Sequence, residues 1–337
     1  MSDISAFPFG ASSFGFPMVG GWGLPVMGGG TAANGPAKVY FVDPANGSNS
    51  NTGLSPDEAL DTVTAAYAKT VDLTGDTIYL LNDGNTSGTS RDNATITWSK
   101  DNVHLVGMCA PSLMSQRARI SPASTVGSIV TPQITVSGNG CLFQNISLFE
   151  GDDQDGTASV CINVTGNRNV FNNVSMMNMG SANSADEATS ANLQITGGEE
   201  NVFNRCYIGL DTVARSAGNA NVELTSAAAR NAFYNCFFPM LADAATPVFI
   251  KIDGSGDMDR FVYFDNCMFY NAIGSTATTV NEVASVHASA GGLVLLHNCA
   301  NVGATEWETT ASGNVYISMP TPDGAQPAGG TMVVFST

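Results

Sequence analysis

The sequence predicts an all-β protein: a single-stranded right-handed parallel β-helix of about six similar turns, with a short N-terminal capping helix and an extended N-terminal arm. Three observations carry this prediction. Short segments alternate apolar and polar residues with a period of two, as half-buried strands do. Segments with the same internal order recur roughly every thirty residues, as in stacked arrays. The 337-residue chain is 43% apolar and only 12% charged, so it can bury a long core behind few ionic side chains.

The repeats run from 134 to 301. ITVSGNGCLFQNISLF (134–149), INVTGNRNVFNNVSMM (162–177), LQITGGEENVFNRCYI (193–208), VELTSAAARNAFYNCFF (222–238), IKIDGSGDMDRFVYFDNCMF (250–269) and VHASAGGLVLLHNCAN (286–301) align with one another. Each reads as a strand, a turn often marked by glycine, a second strand carrying phenylalanine, a polar bend and a third strand. Phe143, Phe171, Phe203, Phe233, Phe264 and Leu296 form one column. Two residues on stand Asn145, Asn173, Arg205, Asn235, Asn266 and Asn298. The next column is Ile146, Val174, Cys206, Cys236, Cys267 and Cys299. A fourth is Leu148, Met176, Ile208, Phe238, Phe269 and Asn301.

These columns assign structural work to residues that otherwise resemble chemistry. Cys206, Cys236, Cys267 and Cys299 replace Ile and Val, and a free cysteine packs as a small hydrophobe. Asn145, Asn173, Asn235, Asn266 and Asn298 sit where a bend needs backbone partners, and their amides can stack along the axis. Arg205 is expected to turn outward. The competing architecture, an antiparallel Greek key, would need hairpin turns between successive strands, whereas the same faces here return in the same order.

Ahead of the repeats, KVYFVD (38–43) and TIYLL (77–81) read as strands. Between them Ser55-Pro56-Asp57-Glu58 has the form of a capping box with proline at the first helical position. It predicts a helix over about 56–71 with Leu60, Val63, Tyr67 and Val71 on one face. A solenoid must cover the open core at its end, and such a helix is a suitable plug. The expected divisions are an arm over 1–37, a β-helix over 38–320 (cap 38–84, turns 86–320) and a tail over 321–337.

The arm has neither helical nor strand periodicity, and Gly and Pro interrupt it throughout. Phe7, Phe9, Phe14, Phe16 and Trp22 are unsuited to a solvated linker. They are read as anchors that order on a partner.

Twelve Lys and Arg against 29 Asp and Glu give a net charge of −17, which disfavours a nucleic-acid groove. The seven cysteines, odd in number and without a CxxC pair, suggest neither a disulfide framework nor a zinc site. The apolar start lacks a charged leader region and is broken by Pro8, Pro17 and Pro25, so neither a secretory signal nor a spanning helix is expected.

The segment 39–84 (VYFVDPANGSNSNTGLSPDEALDTVTAAYAKTVDLTGDTIYLLNDG) resembles the start of pectate-lyase-like β-helix proteins. That group includes secreted polysaccharide enzymes and phage tailspikes and fibres. The resemblance implies the fold strongly and an activity weakly. Hydrolases of this fold carry N-T-D, G-H-G and R-I-K, all absent here. Asp152-Asp153 forms a D-D pair without downstream partners, and His104, His287 and His297 are scattered.

Catalytic residues and a resident cofactor are therefore not assigned. Glu150, Asp152, Asp153 and Asp155, with Asp253, Asp257 and Asp259 in a second acidic turn, are candidate glycan or cation loops. They offer the oxygen ligands calcium takes, without the spacing of a known calcium loop. The reading that absorbs most features is a phage virion structural protein, assembled in the host cytoplasm. It would be a capsid decoration protein, homotrimeric, anchored to the major capsid protein or another virion protein through 1–37. Host-surface glycans are further candidate partners, whereas nucleic acid and membrane are not. The alternative is a tailspike or fibre that binds or cleaves polysaccharide.

Overall fold

A computed structural model describes residues 36–81, 88–109, 118–123, 129–151, 157–272, 278–309 and 312–318. Every strand pairing among them is parallel, and none is a hairpin. The strands stack into three long sheets, with a further two-stranded pairing of Val280–Glu282 and Ala304–Glu306. Sheet I has seven strands, from Ile96–Trp98 to Ala284–Val286. Sheet II has ten, from Val39–Val42 to Val315–Ser318. Sheet III has nine, eight on its main path from Thr89–Ser90 to Ala300–Val302 and one, Leu210–Arg215, beside it. Each repeat contributes one strand to each sheet in that order, so the chain forms a parallel β-helix.

The columns fall in register. Phe143 pairs with Phe171, Phe171 with Phe203, Phe203 with Phe233, and Phe233 with Phe264. Their fully buried rings stack at centroid distances of 4.9, 4.7, 4.5 and 4.6 Å, with planes within 9° of parallel. Strand spacing alone sets this repeat, and offset ring stacking adds to the area buried. The corner between sheets I and II is tight enough to require glycine: a Cβ on Gly166 would lie 2.1 Å from the Gly138 carbonyl oxygen.

The N-terminal plug differs from the expected single helix over 56–71. A short 3-10 turn, Pro56–Glu58, is followed by extended chain and then an α-helix, Val63–Lys69. Leu60 breaks the helix because its backbone pairs with the first strand: its N–H donates to Phe41 O at 2.9 Å, and its carbonyl accepts from Asp43 N at 2.8 Å. Ser55 makes no side-chain cap, and Thr62 instead accepts from Ala65 N. Val71 lies beyond the helix and is exposed. Val63, Ala66 and Tyr67 still seal the core end, with the Tyr67 ring 4.3 Å from that of Trp98, which leads into the Phe143 stack at 5.1 Å.

Candidate functional site

The anchors Phe7, Phe9, Phe14, Phe16 and Trp22 lie outside the described residues, as do Asp152, Asp153 and Asp155. Glu150 is 2% exposed and its Oε2 accepts from Val130 N at 3.3 Å, so this carboxylate is not presented to solvent. Asp257 closes its own turn: Oδ2 accepts from Gly254 N at 2.6 Å and Oδ1 from Ser226 N at 3.2 Å. Asp259 lies 3.5 Å from Arg260 Nε. Among the described residues, no group of three or more His, Cys, Asp or Glu is placed to hold a metal ion.

The outer asparagine column occupies the bend between sheets II and III. Asn145, Asn173, Asn235, Asn266 and Asn298 all have φ between +51° and +54°, and so does Arg205 at +53°. Asparagine tolerates this left-handed conformation better than most residues. Asn173 Nδ2 donates to Asn145 Oδ1 at 2.9 Å, Asn266 to Asn235 at 2.7 Å, and Asn298 to Asn266 at 3.4 Å. The exposed Arg205 interrupts the ladder.

Cys206, Cys236, Cys267 and Cys299 are buried, and each thiol donates to a phenylalanine carbonyl one turn back, at 3.4–3.5 Å. Burial pushes the Cys161 and Cys236 thiols well up from their ordinary range, opposite to what a thiolate nucleophile needs.

A second, inner ladder is not among the expectations drawn from sequence. Asn169, Asn201 and Asn231 are fully buried at the corner between sheets I and II. Asn169 Oδ1 accepts from Cys141 N at 2.8 Å, Asn201 Oδ1 from Asn169 N at 2.9 Å, and Asn231 Oδ1 from Asn201 N at 3.0 Å. Their amide nitrogens donate to the carbonyls of Gly138, Gly166 and Gly198. Each side chain thus stands in for a missing strand partner where the chain turns. The available signal was a column two residues before phenylalanine that reads Cys, Asn, Asn, Asn, Val, Val.

The feature best suited to binding is the outer face of sheet II near its C-terminal end. Register places Ala232, Tyr263, Leu295 and Tyr316 in one outward column, and Tyr234, Asp265, His297 and Ser318 in the next. The Tyr234 and Tyr263 rings lie 5.9 Å apart edge-on. The Tyr263 and His297 rings are nearly parallel at 6.5 Å. His297 Nδ1 lies 2.8 Å from Asp265 Oδ1, which orients the imidazole and leaves Nε2 as its other polar atom. Tyr316 is 56% exposed. Flat aromatic faces beside a carboxylate and an imidazole suit a ligand with both apolar C–H faces and hydroxyl groups.

Midway along the same sheet, where strands Val170–Asn172, Val202–Asn204 and Ala228–Tyr234 begin, side chains of Arg168, Glu200 and Arg230 alternate in sign along the axis, with N–O distances of 2.7 and 3.7 Å. Exposed pairs of this kind add little stability.

No protein-family model matches the sequence, and comparison with curated protein sequences finds no match. Solved structures do match. Pectin methylesterase PemA from Erwinia chrysanthemi is 14% identical with a TM-score of 0.53, covering 87% of this chain and 92% of that one. The pectate lyase Pel9A is 15% identical with a TM-score of 0.53, covering 87% and 79%. A rhamnogalacturonan lyase is 15% identical with a TM-score of 0.54, covering 79% and 68%. At this identity the likeness shows the fold alone: this chain has the parallel β-helix of pectate-lyase-like proteins.

Proposed function

We propose that the chain is a structural protein of a phage virion, in the capsid-decoration class. Its N-terminal segment would dock on the major capsid protein or another virion protein, and its β-helix would project outward as a homotrimer. The observation that carries this reading is the division of labour along the chain. The aromatic residues of the first 37 positions precede a stack whose described asparagines and cysteines, with Glu150 and Asp257, are largely engaged in holding the stack together. Chemistry typical of an active site is thereby spent on structure, and attachment and display remain. The test is removal of residues 1–36 followed by sedimentation with particles. The truncated protein should stay in the supernatant, and equal association would overturn the reading. Sedimentation equilibrium should give three times the 34.8 kDa chain mass.

A second reading, a polysaccharide-binding or depolymerising tailspike, is favoured by one observation: the Tyr234, Tyr263, Asp265, His297 and Tyr316 face. The net charge of −17 favours neutral over anionic glycans there. Screening against a glycan panel, with Tyr263→Ala and His297→Ala alongside, separates the readings. Release of reducing or unsaturated ends that is lost in His297→Ala establishes the second.

A further inference from the structure

Arg215 ends the strand Leu210–Arg215, which lies outside the repeat columns at the covered corner between sheets III and I. The residue is 2% exposed. Among the described residues its guanidinium makes two contacts, both with neutral atoms: Nη2 donates to Asn221 Oδ1 at 2.7 Å, and Nη1 lies 3.8 Å from Met179 Sδ. Nε has no partner. Asp211, four residues earlier on the same strand, is half-buried and adds to burial in raising the Tyr207 hydroxyl, and Glu223 accepts from Gln194 Nε2; neither contacts the guanidinium. Asp186 is exposed and accepts from Ser216 N and Oγ, and Asp243 is exposed. Burial pushes the guanidinium down to about 9, with no carboxylate of the described residues opposing it.

A buried cation without a counter-charge is strongly unfavourable, and interiors resolve this by pairing. The same corner holds a second unsatisfied donor, Asn192 Nδ2. Asn192 is fully buried and stands beside Asn221 in the strand register.

We propose that this corner binds a small monovalent anion of the halide class, held by Arg215 Nε with the Asn192 amide as a second donor. The anion supplies the charge that the fold omits, and the site forms only when the strands on both sides of the corner are in place. It therefore binds the folded chain and not the unfolded one, and halide stabilises the fold by mass action.

The experiment uses the full chain. Thermal unfolding is followed in sodium bromide and in sodium gluconate at matched ionic strength, which equalises screening. Crystals grown in bromide are examined for anomalous scattering. A hundredfold excess of bromide over its Kd should favour the folded state by about a hundredfold, a Tm rise of about 4 °C. An anomalous peak should lie within about 3.5 Å of Nε. In Arg215→Met the rise and the peak should both vanish, while the exposed control Arg205→Met keeps them. A wild-type protein with the same Tm in both salts and no peak at Nε overturns the proposal. If Arg215→Met does not fold, the wild-type titration and the anomalous map decide between these outcomes.

Discussion

Replacing Asn201 by alanine gives the sharpest test of what holds the turns together. The Asn201 side chain is fully buried and accepts from Asn169 N at 2.9 Å while donating to Gly166 O at 3.1 Å. Alanine removes both partners without admitting water, leaving one buried N–H and one buried carbonyl short of a bond. Each such group costs roughly 1–3 kcal/mol, so the expected loss is about 2–6 kcal/mol. The control is Asn235→Gly in the outer ladder. That residue is exposed, its φ of +54° suits glycine, and it loses one amide contact, at 2.7 Å to Asn266. It should cost about 1 kcal/mol or less. Urea unfolding followed by far-ultraviolet circular dichroism measures both, compared at equal m-values. An Asn201→Ala loss no greater than that of Asn235→Gly would refute the claim that the inner ladder, rather than the visible outer one, carries the corner.

Four further outcomes follow from the same structure. Arg205→Asn restores asparagine at φ +53° between Asn173 and Asn235 and should raise the urea midpoint, by about 0.5–1 kcal/mol in stability. Phe203→Ala, which opens a gap in the ring stack, should cost about 3–5 kcal/mol, and Phe203→Leu markedly less, in the same assay. Burial holds the His104 imidazole down at about 4, against 6.5 when unfolded. The unfolded chain therefore takes up the proton first, and stability is complete above pH 6.5 and lost as pH falls toward 4. A fall of about 3 kcal/mol across that window, absent in His104→Gln, is expected. Iodoacetamide on the native protein should label the half-exposed Cys109 well before the buried Cys161, as mass spectrometry of the digested protein will report.

The long columns were legible in the sequence because strand stacking repeats a side chain's surroundings at every turn. Phenylalanine, asparagine and cysteine therefore recur wherever those surroundings do. The inner asparagines were harder to see, since their column holds for three turns and changes to Cys141, Val262 and Val294 elsewhere. The helix over 56–71 was misread because Ser55-Pro56-Asp57-Glu58 is a strong local signal, while the competing backbone bonds of Leu60 reach back to Phe41 and Asp43. The aromatic face was not legible at all. Tyr234, Tyr263 and His297 come from three different repeats and two columns, and only the register between turns brings their rings together. Arg215 lies in a segment between repeats, where alignment gives no neighbour to compare.

The in-register phenylalanine stack also makes the molecule a ruler. Successive outer-ladder positions are 28, 32, 30, 31 and 32 residues apart, yet each adds the same single strand spacing of about 4.8 Å along the axis. Height is therefore counted in whole turns, and residues added at the corners leave it unchanged. Duplicating one turn would move everything beyond it outward by that fixed step while every side chain met neighbours of the same kind. A particle built from such chains could change its reach in equal increments, with both ends of the chain unaltered.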